Sequence, residues 1–151
     1  MKITININGS SCEADVKPNT SLLEFLREQG LWSVKHGCET GECGACAVLV
    51  NGKLRNTCIM LAAQARAASI TTLEGIGDFD NLHPLQSAFV DCGAIQCGYC
   101  TPAMILAAYA LSKEKQIITE EDVRDVLAGV LCRCTGYVKP VQAVLQALTT
   151  E

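Results

Sequence analysis

The spacing of cysteines is the feature that most constrains what this chain can fold into. Ten of the 151 residues are cysteine, a density below that of small disulfide-stabilised scaffolds. Residues 1–8 alternate isoleucine with polar residues and form no apolar signal-peptide segment, so we expect a cytoplasmic protein with reduced thiols. Eight cysteines form two groups of four: Cys38, Cys43, Cys46 and Cys58, and Cys97, Cys100, Cys132 and Cys134. This pattern indicates that they bind a metal or a redox cofactor.

Composition excludes two classes of partner. The formal net charge is −4, which argues against a nucleic-acid partner because no basic surface is available to meet phosphates. No apolar run approaches the roughly 20 residues that a membrane-spanning helix needs, so no membrane partner is expected. Hydrophobic residues make up 49% of the chain, which is enough to build a packed core.

The first half of the chain reads as a small α+β domain. Alternating and short apolar segments predict five strands, over 3–7, 12–16, 47–50, 53–57 and 69–73. The Asn-Gly pairs at 8–9 and 51–52 are hairpin signals. Between the hairpins, Thr20 or Ser21 caps a predicted helix that ends at Gly30.

The second half reads as all-helical. Residues 75–81 are polar and glycine-rich, and we interpret them as a linker. Four helices are predicted, each from a signal at its N-terminus: Pro84, the pair Thr101-Pro102, Thr119 and Pro140. The second helix, over 103–112, is apolar on nearly every side, so we expect it to be the most buried. Four short helices predict a small bundle.

The first cysteine group has the spacing Cys38-x4-Cys43-x2-Cys46-x11-Cys58, which is the pattern of plant-type 2Fe–2S ferredoxins. Three of these cysteines would lie on one tight loop, and the fourth would approach from the second hairpin. Glycines in this loop permit the left-handed turns that direct backbone N–H groups towards the cluster sulfurs. The spacing predicts one 2Fe–2S cluster held by four cysteines.

The second group consists of Cys97-x2-Cys100 and, after 31 residues, Cys132-x-Cys134. Each pair precedes a predicted helix, whose N-terminus presents free N–H groups and the positive end of its dipole to an anionic cluster. This spacing is less specific than the first, because two cysteine pairs also suit a tetrahedral zinc ion. Spacing alone therefore leaves open a second 2Fe–2S cluster or a zinc site.

The other two cysteines and both histidines are not expected to be ligands. Cys12 falls on a predicted strand and Cys92 on an apolar helix face, where free cysteine commonly packs as a small hydrophobe. A Rieske centre needs two histidine ligands on one iron, but neither His36 nor His83 lies at Cys-x-His spacing. Surface or capping roles are expected for both histidines.

Three motifs surround the ligand cysteines. Residues 96–102 read Gln-Cys-Gly-Tyr-Cys-Thr-Pro, residues 132–137 read Cys-Arg-Cys-Thr-Gly-Tyr, and residues 37–46 read Gly-Cys-Glu-Thr-Gly-Glu-Cys-Gly-Ala-Cys. Together these motifs resemble those of the molybdenum hydroxylases, the xanthine oxidase (xanthine dehydrogenase) family, and they occur in the family's order. The chain resembles the small iron–sulfur subunit of the heterotrimeric members. Ala103 departs from the family's usual glycine, but alanine favours the helix that starts there.

The resemblance implies a fold and a set of cofactor contacts. The fold class is α+β, with an N-terminal β-grasp, plant-type ferredoxin-like domain over 1–75. An all-α four-helix-bundle 2Fe–2S domain follows over 82–151. The eight cysteines of the two groups would bind two 2Fe–2S clusters. Gln96 and Cys134 would also contact a molybdopterin cofactor across a subunit interface.

The resemblance also implies partners and a direction of electron flow. The partners would be a molybdopterin-binding large subunit and an FAD-binding medium subunit, assembled as paired heterotrimers. Electrons would pass from molybdenum to the helical-domain cluster, then to the ferredoxin-like cluster, then to FAD, during hydroxylation of N-heterocycles or aldehydes. This chain has no nucleophile–base pair, so no catalytic residue is expected on it. Two alternatives are a free-standing ferredoxin and a zinc-stabilised binding module.

Overall fold

A computed structural model describes residues 1–149 of the chain. Its N-terminal half contains the strands β1 (Lys2–Ile7), β2 (Ser10–Asp15), β3 (Ala47–Val50), β4 (Lys53–Asn56) and β5 (Ser69–Thr71). They form one sheet in the order β2-β1-β5-β3-β4. β1 pairs parallel with β5, and the other neighbouring strands pair antiparallel. The five predicted strands are confirmed, with small differences at their ends.

The two Asn-Gly pairs form the tight turns that the sequence predicts. Asn8 and Gly9 have φ values of 50° and 84°, and Asn51 and Gly52 have values of 51° and 78°. A two-residue type I′ hairpin requires such left-handed values at both positions. In the first hairpin, the three isoleucines of β1 are all buried, so the alternation in the sequence marks the face of the sheet that meets the core.

The helix of this half is α1 (Leu22–Glu28), and Ser21 rather than Thr20 is its N-cap. The Ser21 hydroxyl accepts the N–H of Glu24 at 3.1 Å, and the Glu24 carboxylate accepts the N–H of Ser21 at 3.0 Å. This capping box satisfies two N–H groups that have no acceptor within the helix. The apolar side of the helix packs on the sheet in a core that includes Ile5, Leu22, Phe25, Leu26 and Ile70.

Short 3₁₀ turns, which the sequence did not predict, connect the last strands. They span Thr57–Ile59, Ala62–Ala65 and Leu73–Gly75. The strand expected over 53–57 therefore ends at Asn56, because Thr57 begins a turn. The side chain of Thr57 is fully buried and donates to the carbonyl oxygen of Cys46 at 2.9 Å. This bond ties the turn to the first cysteine loop.

The second half contains the helices α2 (Pro84–Asp91), α3 (Thr101–Glu114), α4 (Glu120–Ala128) and α5 (Val138–Thr149). The prediction of four helices is confirmed, but two starting points were wrong. Thr101 is the first residue of α3 rather than its cap, and Cys100 occupies the N-cap position. α5 begins at Val138, two residues before Pro140. Proline is tolerated at this position because N–H groups in the first turn of a helix have no intrahelical acceptor to lose. No helix within residues 1–149 is long and apolar enough to cross a bilayer.

Helix α3 is buried along almost its whole length, as its apolar sequence predicts. One side packs against α2, α4 and α5 in the helical core. Another side meets the sheet, where Leu106 and Ala110 pack against Leu49 of β3. Ala47, also in β3, belongs to the helical core itself. These shared apolar contacts hold the two halves, and the cysteine loops that they carry, next to each other.

Candidate iron–sulfur sites

The first cysteine group gathers where the sheet meets the helical half. Cys38, Cys43 and Cys46 lie on the loop between α1 and β3, and Cys58 lies on the 3₁₀ turn after β4. The Asn56 side chain donates to the carbonyl oxygen of Gly41 at 2.8 Å, so both residues before Cys58 are bonded to that loop. The side chains of Cys46 and Cys58 interact with each other. The structure thus brings the four predicted ligands of the first site together.

The surroundings prepare the thiols of this site unequally. The Thr40 hydroxyl and the N–H groups of Cys43 and Thr40 lower the pKa of Cys38 to about 6. These N–H groups lie 3.3 and 3.4 Å from its sulfur. Burial and the bond to Cys46 raise the pKa of Cys58 to about 11. A thiolate is the form that binds metal. Cys38, with its low pKa, ionises readily, whereas Cys58, with its high pKa, loses its proton when a metal displaces it.

Glycine leaves space at two points of the first ligand loop. A Cβ at Gly37 would lie 2.7 Å from the sulfur of Cys43. A Cβ at Gly44, whose φ is 69°, would lie 2.1 Å from the carbonyl oxygen of Gly129. The first glycine keeps the Cys43 sulfur uncovered, and the second lets the loop touch the helical half. Four thiols around a loop with this space fit a 2Fe–2S cluster.

The second cysteine group gathers at one end of the helical half. Cys97 and Cys100 lie before α3, and Cys132 and Cys134 lie between α4 and α5. Their side chains interact in two pairs, Cys100 with Cys132 and Cys97 with Cys134. Within residues 1–149, no three His, Cys, Asp or Glu side chains converge as a single-ion site would require. Two adjacent pairs suit a two-iron cluster, because each iron takes two cysteine ligands.

The thiols of the second site also differ from one another. Burial, followed by the bond to Cys132, raises the pKa of Cys100 to about 12. Burial opposes ionisation of Cys132 as well, but hydrogen bonds from Thr135 lower its pKa to about 7. The bond to Cys97 raises the pKa of Cys134. As at the first site, a readily ionised cysteine stands beside one that loses its proton when a metal binds.

The residues that the resemblance assigns to a pterin contact lie at the exposed edge of the second site. Gln96 and Cys134 are both exposed, and so is Cys97. Ile95, which directly precedes Gln96, also exposes part of a large apolar side chain. The edge is therefore accessible and partly apolar, which is compatible with a subunit interface. The pterin contact itself stays a prediction.

The cysteines and histidines outside the two groups occupy structural positions. Cys12 and Cys92 are half-buried, and each packs against one of the two cores. His83 is the N-cap of α2, where its Nδ1 accepts the N–H of Leu85 at 3.2 Å. His36 is exposed. These placements agree with the packing, capping and surface roles expected for the four residues.

Two hydrogen bonds that the sequence did not predict connect the sites. The N–H of Leu131 donates to the carbonyl oxygen of Cys43 at 2.8 Å. The hydroxyl of Tyr99 donates to the carbonyl oxygen of His36 at 2.6 Å. Since Leu131 directly precedes Cys132, the first bond joins a candidate ligand of one site to the neighbour of a ligand of the other. No local pattern predicts either bond, because the partners are far apart in the chain.

Comparisons with known proteins agree with this arrangement. The 2Fe-2S iron-sulfur cluster binding domain family matches residues 5–69, and the 2Fe-2S binding domain family matches residues 72–145. The nicotinate dehydrogenase small FeS subunit of Eubacterium barkeri is 48% identical over 97% of this chain and 94% of its own length. The xanthine dehydrogenase iron-sulfur-binding subunit of Escherichia coli O157:H7 is 46% identical over 99% of this chain and 95% of its own length.

A solved structure shows the same likeness in three dimensions. The crystal structure of quinoline 2-oxidoreductase from Pseudomonas putida 86 matches with a TM-score of 0.92 and 40% identity. The match covers 95% of this chain and 90% of the matched chain. With the order of the two domains and the relatives above, it identifies the protein's family. The chain belongs to the small iron–sulfur subunits of the molybdenum hydroxylases, the xanthine dehydrogenase family.

Proposed function

We propose that this chain relays electrons between a molybdopterin-binding subunit and an FAD-binding subunit of a molybdenum-dependent oxidoreductase. The observation that carries the proposal is the contact between two four-cysteine sites. The bond from Leu131 to Cys43 joins their ligand loops directly. A protein that only stores metal has no need for two sites in contact, whereas an electron relay needs them close together. The chain supplies no catalytic residue for substrate chemistry.

The proposed ligands are the eight cysteines of the two groups. The first cluster is held by Cys38, Cys43, Cys46 and Cys58, and the second by Cys97, Cys100, Cys132 and Cys134. Each bound cluster supplies a one-electron redox centre. The chain orients the ligands through its loops and donates backbone N–H groups to their sulfurs, as the N–H groups of Thr40 and Cys43 do for Cys38. Such bonds adjust the reduction potential.

The large molybdopterin-binding subunit docks at the exposed edge of the second site. There Gln96 and Cys134 contact the pterin, and the exposure of both residues supports this contact. The FAD-binding subunit lies towards the first site. Electrons therefore cross the second cluster, then the first, and leave to FAD. The complex is cytoplasmic and forms paired heterotrimers, with neither nucleic acid nor membrane as a partner.

The relatives' names support a substrate class for the complex. Nicotinate, xanthine and quinoline, named in three of the relatives, are N-heterocycles, and other relatives are named aldehyde oxidoreductases. The complex that contains this chain hydroxylates an N-heterocycle or an aldehyde. The substrate pocket belongs to another subunit, so its shape is set outside this chain.

The experiment that tests the proposal is purification of the native complex without oxygen, followed by metal analysis and EPR of the reduced protein. We expect about four irons for each copy of this chain and two distinct reduced 2Fe–2S signals. Subunits that contain molybdenum and flavin should co-purify in fixed proportion.

Two other results would contradict the proposal. A colourless chain that holds zinc would identify a zinc-stabilised binding module. A two-cluster monomer without partner subunits in its native host would identify a free-standing ferredoxin.

A further inference from the structure

The hydroxyl group of Thr135 lies against a sulfur atom of the second site. Its oxygen is 3.0 Å from the sulfur of Cys132 and accepts the N–H of Tyr137 at 3.2 Å. A cysteine that ligates metal is a thiolate and carries no proton. The hydroxyl therefore supplies the proton of this contact, and Thr135 is the donor to the ligand sulfur.

Neighbouring hydrogen bonds hold this hydroxyl in place. The N–H of Thr135 lies 3.4 Å from the same sulfur. The Tyr137 hydroxyl accepts the N–H of Cys132 at 2.8 Å and donates to the carbonyl oxygen of Val130 at 3.1 Å. Tyr137 itself has a φ of 66°, a left-handed value that is uncommon for a residue other than glycine. The loop is thus braced on both sides of the Thr135–Cys132 contact.

The first site has a similar threonine in a different environment. The N–H of Thr40 lies 3.4 Å from the sulfur of Cys38, the same distance as at the second site. Its hydroxyl, however, reaches the carboxylate of Glu42 at 3.0 Å as well as the sulfur. One hydroxyl proton cannot serve both acceptors, so Cys38 competes with Glu42 for it. The Thr135 hydroxyl instead meets a donor, the N–H of Tyr137, and directs its proton to the sulfur.

We propose that Thr135 is a positioning residue that raises the reduction potential of the second cluster by donating its hydroxyl proton to Cys132. This inference rests on the proposed function, because it requires Cys132 to be a cluster ligand. Reduction adds negative charge that spreads onto the ligand sulfurs. A donor to such a sulfur therefore stabilises the reduced state more than the oxidised state. The corresponding effect of Thr40 on the first cluster is smaller.

The test is a redox titration of the native complex, followed by EPR, which reports each cluster separately. Thr135→Val keeps the side-chain shape and removes the hydroxyl. We expect it to shift the reduction equilibrium of the second cluster towards the oxidised form by about threefold to tenfold. A tenfold shift corresponds to about 59 mV for one electron. The first cluster should keep its potential, and Thr135→Ser, which retains the hydroxyl, should resemble the original protein.

Thr40→Val is the matched control, because it removes the same atoms beside the other cluster. It should move the first-cluster potential by less than Thr135→Val moves the second, and an equal or larger shift would overturn the proposed asymmetry. An unchanged second-cluster potential in Thr135→Val, or an equal shift in Thr135→Ser, would overturn the role of the hydroxyl. If the valine variant binds less iron, Thr135→Ala repeats the test with a smaller side chain and the same expected shift.

Two kinds of failure can be told apart in this experiment. Absence of a second 2Fe–2S signal from the original protein would overturn the proposed function, and this inference with it. Two intact signals with an unshifted second potential would overturn the role of Thr135 alone.

Discussion

Gly44 lies so close to Gly129 that a Cβ at position 44 would stand 2.1 Å from the Gly129 carbonyl oxygen. Gly44 directly follows Cys43 in the first ligand loop, and Gly129 is the C-cap of α4, just before the second ligand loop. Gly44 also has a φ of 69°, which favours glycine. The approach of the two sites therefore depends on the absence of a side chain at position 44.

We expect Gly44→Ala to separate the two ligand loops and to destabilise the protein. The left-handed conformation costs an alanine about 1–2 kcal/mol. Displacement of the Gly129 backbone adds to this cost, because the added methyl group meets a carbonyl oxygen rather than a flexible side chain. A lower thermal midpoint and a weaker magnetic interaction between the two reduced clusters in EPR would show the effect.

Gly52→Ala is the matched control for this prediction. Gly52 has a φ of 78°, but a Cβ there would meet nothing within 4 Å. This variant therefore carries the conformational cost alone and should leave the clusters unaffected. Equal destabilisation by the two variants would mean that the structure absorbs the clash at Gly129.

Cys43→Ser should remove the first cluster signal and leave the second largely intact. The serine hydroxyl is a poor replacement for a thiolate ligand, and the second site takes none of its ligands from this loop. Iron should fall from about four atoms to about two for each chain. Cys12→Ser, which changes a half-buried cysteine outside both groups, should keep both signals.

The same variant tests the predicted domain boundaries, at residues 1–75 and 82–151. Loss of both signals in Cys43→Ser would show that the two halves do not fold independently, and these boundaries would be wrong. The apolar contacts between α3 and the sheet couple the two halves through packing, so the variant tests whether the halves fold independently in spite of these contacts.

Gln96→Ala should spare both clusters and slow electron transfer from the molybdenum centre to the second cluster. Loss of one hydrogen bond to the pterin is expected to cost on the order of a few-fold to tenfold in rate. Rapid mixing of the complex with substrate, with the cluster absorbance followed over time, measures this step. Gln116→Ala, at another exposed glutamine, is the control. Unaffected cluster reduction in Gln96→Ala would remove the support for the pterin contact.

The cap of α2 predicts a pH dependence of stability. Burial, and then the charge of Lys113, lowers the pKa of His83 below its usual 6.5, so the folded state prefers the neutral ring. The neutral Nδ1 accepts the N–H of Leu85. The stabilisation is therefore present above about pH 6.5 and is lost as the pH falls through the lower folded-state pKa.

His83→Asn tests this dependence, because asparagine also caps helices but does not titrate. The thermal midpoint of the original protein should fall more between about pH 7.5 and pH 5 than that of the variant. Both proteins contain the same clusters, so acid damage to the clusters contributes equally to each. Parallel falls in the two proteins would show that His83 does not cause the pH dependence.

Much of the fold could be predicted because its signals are local. The hairpin turn at Asn8-Gly9 and the capping box of Ser21 with Glu24 each depend on residues within three positions of one another. The predicted start of a helix was wrong where the local signals were incomplete. Thr101 has the chemistry of a cap, but Cys100 occupies the N-cap position and Thr101 is the first residue of α3.

The division of eight cysteines into two groups of four could be read from their spacing, because that spacing is a local property of the chain. The sequence could not determine which thiols pair, as Cys100 does with Cys132. Nor could it show that Leu131 bonds to Cys43 or that the Thr135 hydroxyl meets a ligand sulfur. These relationships exist only in the folded protein. Packing of α3 against the sheet and the other helices brings distant segments together, and the final positions of donors and sulfurs depend on that packing.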